Sequence, residues 1–170
     1  MKLEIFFDYA CPYCYSGLEC LRKLLPDYPG IEAVWIPCEA HPRPERYGIH
    51  SDVAIQGFYF ARENGCGAWD YNDRIFKAIF EERLNIESPG IVAGCLNDLG
   101  LDSGAFLSDI KTGGYAGMPD KNNRLAWGEN QFYAVPSYKM EGRRLLSRDG
   151  IAVTKTQLEA FLRGDDSQPA

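Results

Sequence analysis

Cys11-Pro12-Tyr13-Cys14 sets two thiols two residues apart, close behind an apolar run at Lys2-Leu3-Glu4-Ile5-Phe6-Phe7. Disulfide exchange needs a thiolate that attacks and a second thiol that resolves the mixed disulfide. A two-residue spacer lets the two sulfurs meet while the first turn of a helix forms around them. Cys11 stands at the start of that helix, where free N–H groups and a partial positive charge favour the thiolate. It is therefore the candidate nucleophile, and Cys14, one turn further in, is the candidate resolving thiol. A free Cys titrates near about 8.5, and related sites span roughly 3.5 to 7. A fall to about 6 corresponds to ~3.4 kcal/mol, of which a helix end supplies ~0.3–1 kcal/mol, or ~2 when partly buried. Hydrogen bonds to the thiolate, from the Cys14 N–H or the Cys14 thiol, must supply the rest. Tyr13 adds no positive charge, so a moderately acidic Cys11 is expected.

The elements that position this pair can be read from periodicity and punctuation. Residues 2–8 predict a strand and residues 12–25 a helix, with Leu18, Leu21, Leu24 and Leu25 on one face, Pro12 in the first turn and Pro26 at the end. Ile31 to Ile36 predicts a second strand, parallel to the first across a right-handed crossover. Both strands then end on one sheet edge, which places Cys38 to His41 near Cys11, on the edge that binding sites of open α/β sheets favour. Residues 38–50 are a Pro-rich loop. From 51 to 131 the pattern is helical, with helices expected near 52–63, 71–84, 89–99, 103–111 and 119–130, and Ser88-Pro89 expected as an N-cap with proline behind it. Residues 134–140 and 143–146 flank Glu141-Gly142 as a hairpin. Thr154-Lys155-Thr156-Gln157 has the form of a capping box opening a last helix, with a fraying tail from Gly164. The fold class is therefore α/β: a mixed-sheet core at 1–50 and 132–163, with 51–131 as an inserted helical subdomain of one 170-residue domain.

Composition narrows the partners. The chain carries 24 acidic and 18 basic residues, net −6, with no Lys/Arg run longer than two, which argues against nucleic acid. No apolar stretch approaches the length of a membrane span. The chain enters a strand at once, without a secretory leader pattern, so a cytoplasmic protein is expected, the alternative being a mature form whose leader has been removed. The remaining cysteines, Cys20, Cys38, Cys66 and Cys95, show no recurring spacing and read as free thiols rather than a disulfide framework. A zinc site would need two further ligands from Cys38, His41, His50 or Cys66, none of which has ligand-pair spacing; no metal is expected. His41, between prolines, reads as a solvated loop residue.

The joint pattern of C-x-x-C after the first strand, Val135-Pro136 before a hairpin and a helical segment between them resembles the thioredoxin superfamily, and within it the DsbA-like branch. Asp8 ahead of Cys-Pro-Tyr-Cys-Tyr, and Gly100-Leu101-Asp102, are similar to FrnE-type members. The resemblance implies that Pro136 is cis and faces the cysteines, and that Val135 pairs its backbone with an extended substrate beside Pro12 and Tyr13. Thioredoxins carry a buried acid six positions before the first cysteine; here that position is Ile5. A proton acceptor for Cys14 must come from Asp8, Glu39 or a water, and Asp8 also reads as a turn residue.

The function implied is thiol–disulfide oxidoreduction on protein or peptide thiols and disulfides, with an apolar patch of the helical segment holding unfolded chains. No cofactor is required, and glutathione is a candidate redox partner. Cys-Pro-Tyr-Cys is also the glutaredoxin tetrad, so a glutathione-dependent oxidoreductase or isomerase is one alternative. The usual Gly-Gly is missing, however, with Asp149-Gly150 near its place. A non-catalytic zinc-binding or redox-sensing module is the other.

Overall fold

The computed structural model describes residues 1–147 and 152–165. Strand β1 (Lys2–Phe7) lies at the centre of the sheet, and Leu3, Ile5, Phe6 and Phe7 are all buried on its two faces. It pairs parallel with β2 (Glu32–Pro37), in the register Ile5↔Trp35 and Phe7↔Pro37. On its other side it pairs antiparallel with β3 (Ser137–Met140), Phe6 opposite Ser137, and β3 continues antiparallel into β4 (Arg143–Leu146). The sheet order is β2-β1-β3-β4. Between β1 and β2 runs α1 (Pro12–Leu24), whose Leu18, Leu21 and Leu24 are buried. Between β2 and β3 lie α2 (Asp52–Glu63), α3 (Ala68–Phe80), α4 (Pro89–Asp98), α5 (Ser103–Thr112) and α6 (Met118–Asn123); α7 (Lys155–Arg163) follows β4.

The element order agrees with the periodicity, and the differences fall at boundaries. α1 stops at Leu24 and tightens into a 3-10 turn, Leu25–Asp27, so Pro26 lies inside that turn rather than ending the α-helix. Pro37 is the last residue of β2, and Asp8 has left β1 to begin a turn. α3 ends at Phe80 rather than 84, because Arg83 adopts a positive φ of 56° and Leu84 N–H closes back on Ala78 O at 2.8 Å. The helix expected at 119–130 is α-helical only through Asn123 and widens to a π-turn over Arg124–Glu129. Ser88 is the N-cap of α4, but its side chain makes no capping bond. The Thr154–Gln157 capping box is present. Of the expected fraying tail, Gly164 is a left-handed helix cap and residues 166–170 lie outside those described, as do Asp149 and Gly150.

The helices between β2 and β3 are joined to the sheet by a polar seam at the ends of β1 and β2. Asn122 Nδ2 donates to Pro37 O (2.7 Å), Asn123 Oδ1 accepts from Glu39 N–H (2.7 Å), and Trp127 Nε1 donates to Glu39 O (2.9 Å). These backbone groups lie at and just past the end of β2, where the ladder no longer supplies partners to Glu39. The seam holds the helical segment against the sheet edge where the strands point, and so against the cysteine pair.

Candidate active site

Cys11 is the N-cap residue of α1, in extended backbone conformation, and the proline at N1 removes an N–H that would have no helical partner. Its carbonyl accepts from Cys14 N–H (3.1 Å) and Tyr15 N–H (3.2 Å), which starts the helix at the thiol. The Cys11 side chain is half-buried and Cys14 is buried; both are free thiols. The Cys14 side chain is the largest influence favouring a Cys11 thiolate, and the amides of Cys14 and Tyr13 add to it. Together they hold the Cys11 thiol below its ordinary range, against partial burial and the nearby Asp8 carboxyl. Cys14 moves the other way: burial first, then the neighbouring Cys11, push its thiol well up. The two sulfurs are thus chemically unlike. One is partly exposed with a lowered pKa, the other buried with a raised one.

The peptide facing them is Val135–Pro136, which is cis. Cys11 Sγ lies 3.7 Å from Val135 O. α1 can sit this close because residue 17 is glycine: a Cβ there would stand 2.8 Å from Tyr138 Oη and 3.4 Å from Pro136 Cγ. Val135 and Pro136 are buried, whereas Pro12 and Tyr13 are exposed at the rim. Beside Cys11 opens a cleft of about 430 Å³, walled by Pro12 and Tyr13, by His41 and Ile49 of the 38–50 loop, and by Tyr133 to Val135. His41 therefore borders the cleft, although its Pro-rich loop suggested only a solvated residue; the shared end of β1 and β2 brings it there.

Asp8 and Glu39 occupy distinct positions. Asp8 is 3% exposed and its carboxylate accepts from Ala10 N–H (2.9 Å), Ala40 N–H (2.8 Å) and Ser51 Oγ (2.5 Å), while its own N–H donates to Cys14 Sγ at 3.4 Å. The turn role and nearness to Cys14 thus coexist in one residue. Ser51, which links α2 to this carboxylate, was missed in the sequence; the Ser51-Asp52 pair before an apolar helix was the available signal. Glu39 is also buried; its Oε2 accepts from Asn123 Nδ2 at 3.2 Å and its Oε1 has no partner. Burial raises both carboxyls above their ordinary values, against the hydrogen bonds they accept.

On the far side of Cys14 a void of about 10 Å³ is bordered by Ile5, Phe7, Leu18, Leu21, Trp35, Phe76, Pro136 and Tyr138. It is at the lower size limit for one water and offers almost no polar partners, so it is a poor water site. Ile5 makes apolar the direction in which a buried acid would have stood.

The raised Asp8 pKa has a pH consequence of definite sign. The native state keeps the Asp8 proton over an interval above the ordinary 3.8, where the unfolded chain has already lost it. Stability on this account is full at lower pH and falls as pH rises through the folded pKa. Asp8→Asn should flatten that part of the slope in urea melts from about pH 4 to about pH 7. An unchanged slope would show that Asp8 titrates as an ordinary carboxyl.

The four other cysteines are not brought to the pair as a ligand set. Cys38 and Cys95 are buried, and Cys20 and Cys66 half-buried. Among the described residues no group of three or more His, Cys, Asp or Glu is placed to hold a metal ion. No helix among them is long and apolar enough to cross a membrane. The apolar patch expected on the helical segment has no exposed large apolar side chain among the described residues of 51–131. The exposed large apolar side chains are Met1, Tyr13, Tyr47, Ile49 and Tyr133, all outside 51–131. The stripes of α2 to α5 bury one another instead, as Phe60 against Phe106 and Phe58 against Tyr71 show.

Comparison with known proteins agrees with this architecture. YwbO of Bacillus subtilis (strain 168), an uncharacterized protein, is 26% identical over 173 aligned residues, 81% of this chain and 86% of the relative. Pseudomonas aeruginosa DsbA superposes with a TM-score of 0.69 at 22% identity, covering 95% of this chain and 80% of that one. The cytosolic disulfide reductase DsbM from Pseudomonas aeruginosa, solved with GSH, superposes with a TM-score of 0.70 at 15% identity, covering 96% and 98%. A model of the DSBA-like thioredoxin domain matches residues 2–159, nearly the whole chain, so the protein belongs to the DSBA-like thioredoxin domain family.

Proposed function

We propose that this protein is a thiol–disulfide oxidoreductase that exchanges disulfides with protein or peptide substrates through the Cys11/Cys14 dithiol. One observation carries the reading. A half-buried thiol at the N-cap of α1, with a buried thiol one turn behind it, lies 3.7 Å from the carbonyl that precedes the cis Pro136. The buried partner serves both steps: as a thiol it steadies the Cys11 thiolate, and as a thiolate it displaces whatever Cys11 has captured.

In the reducing direction the Cys11 thiolate attacks one sulfur of a substrate disulfide. A new S–S bond forms, the substrate S–S bond breaks, and the departing substrate thiolate takes a proton from solvent. Cys14 then loses its proton and attacks Cys11 Sγ, which forms the Cys11–Cys14 disulfide and releases the second substrate thiol. Two electrons pass from the protein dithiol to the substrate, and the oxidising direction is the reverse. Cys14 is buried with a raised pKa, so its deprotonation is the demanding step. Asp8 is the favoured acceptor: its N–H touches Cys14 Sγ, burial raises its carboxyl above the ordinary range, and the opposite side of Cys14 is apolar. Glu39 has an unpartnered oxygen but is tied by its other atoms to Asn123 and Trp127, at the seam.

Substrate would reach the pair along Val135–Pro136 with Pro12 and Tyr13 at its edge. The FrnE-type features and the likeness to a cytosolic reductase support a cytoplasmic setting, where glutathione is the candidate redox partner. Equilibration of the purified protein with glutathione buffers tests the proposal. With only a thiol and two amides steadying Cys11, a two-electron midpoint between about −270 and −120 mV is expected. A Cys11–Cys14 pair that fails to interconvert with any glutathione buffer would remove the proposal.

A further inference from the structure

The 38–50 loop supplies one wall of the Cys11 cleft, through His41 and Ile49, yet it contains no helix or strand of its own. Its shape is set by ties between its ends. His50 Nδ1 donates to His41 O at 2.8 Å, the His41 ring lies against Gly48, and His41 Nδ1 stands 3.0 Å from Glu45 Oε2. Gly48 has φ +78°, and a Cβ there would come within 3.4 Å of the ring. The closed loop is then fastened to the helical segment by two carboxylates, Asp52 of α2 and Glu87 on the connection between α3 and α4, of which only Glu87 reaches both Arg43 and His50. Glu87 Oε1 accepts from His50 N–H at 3.1 Å, faces His50 Nε2 at 3.9 Å and receives Arg43 Nη2 at 3.5 Å; Arg43 Nε also pairs with Asp52 at 3.0 Å. One side chain thus holds the loop at its His50 end and at Arg43 in its middle. His50 is 7% exposed, so its N–H has little access to water as a substitute.

Apolar side chains stand exposed on this cleft. Ile49 is 42%, Tyr133 59% and Tyr13 44% exposed, and all three border it. Large apolar side chains clustered beside a reactive sulfur indicate a surface that waits for a partner. Ile49 belongs to the loop that Glu87 holds, whereas Tyr133 leads into β3.

Building on the Cys11/Cys14 reading, we propose that Glu87 is a positioning residue for substrate. It holds the 38–50 loop so that Ile49 stands in the cleft with Tyr133 and Tyr13, and together they take an extended polypeptide with an apolar side chain next to its disulfide. Glu87 touches neither cysteine and leaves the thiol chemistry alone. Loss of the anchor therefore weakens capture of the peptide without slowing attack on a small disulfide that does not reach Ile49.

Steady-state reduction of two substrates by the full chain tests this: a synthetic disulfide-bonded peptide with leucine beside each cysteine, and hydroxyethyl disulfide. Glu87→Ala is expected to raise KM for the peptide about tenfold, with kcat nearly unchanged and the small disulfide unaffected, because the released loop loses the Ile49 contact, which ground and transition states share. Ile49→Ala, at an exposed position that does not threaten folding, should produce the same split. Cys11 alkylation as a function of pH should be the same in wild type and both variants. An unchanged peptide KM in both variants, or a parallel loss on both substrates, overturns the positioning role. If the wild type reduces neither substrate, the Cys11/Cys14 reading itself fails, a result distinct from either.

Discussion

Cys11→Ser should abolish disulfide exchange, lowering insulin reduction by on the order of a thousandfold or more, because a hydroxyl at that place is neither ionised near neutrality nor able to form the mixed disulfide. The fold should tolerate the change. Serine is a favoured N-cap residue, and Cys11 is half-buried at the N-cap of α1 without a capping bond from its own side chain. Loss of activity with an unaltered melting curve is therefore the expected outcome. Activity that survives would mean that another of the six cysteines attacks, and the structure argues against that. Burial pushes up the thiols of Cys14, Cys38, Cys66 and Cys95, whereas Cys11 is lowered. The same asymmetry gives a direct readout. Iodoacetamide should modify Cys11 first in the native protein, with a pH midpoint below that of a free thiol.

Two substitutions separate the two roles proposed for Cys14. Cys14→Ser removes the resolving sulfur, so turnover should stop after the first step and mixed disulfides between Cys11 and substrate should accumulate. Their yield on a non-reducing gel, with release by dithiothreitol, measures it. If no adduct forms under trapping conditions, Cys14 is not the resolving thiol. Serine can still donate a hydrogen bond to the Cys11 sulfur, but alanine cannot. The Cys14 thiol is the largest influence lowering Cys11, so Cys14→Ala should move the Cys11 titration midpoint upward while Cys14→Ser retains much of the lowering. At neutral pH the alanine variant then holds less thiolate and alkylates more slowly. Equal midpoints in the two variants would leave the amides of Cys14 and Tyr13 and the end of α1 as the whole source of acidity.

What could be read along the chain was whatever depends on neighbours in sequence. Alternation and apolar density mark β1 and β2, a 3.6-residue stripe marks α1 and α3, and Thr154 to Gln157 announces its own cap. Cys-Pro-Tyr-Cys places its own helix start, so the chemical unlikeness of the two thiols was already implied. Helix ends were read less well. α3 closes at Arg83 through a positive φ that no glycine announces, and the π-turn after α6 arises where Asn130 N–H reaches back to Leu125 O at 3.0 Å. Such closures depend on what the flanking chain packs against.

Residues distant in sequence make up the rest of the site. Val135 reaches Cys11 across 124 positions only because β3 pairs with β1, in a register that sets Ser137 opposite Phe6. Asp8 could be suspected from its place before the cysteines, but its partner Ser51 and the apolar void at Ile5 required the sheet and α2 to be in position. The ties of Glu87 to Arg43 and His50 leave no trace in spacing or composition. The amino-acid sequence by itself determined the reactive pair, its helix and the order of elements, because those follow from contacts within a turn or two. Tertiary structure alone decided what faces the pair and what walls its cleft, because strand register and helix packing are settled by burial summed over the whole chain.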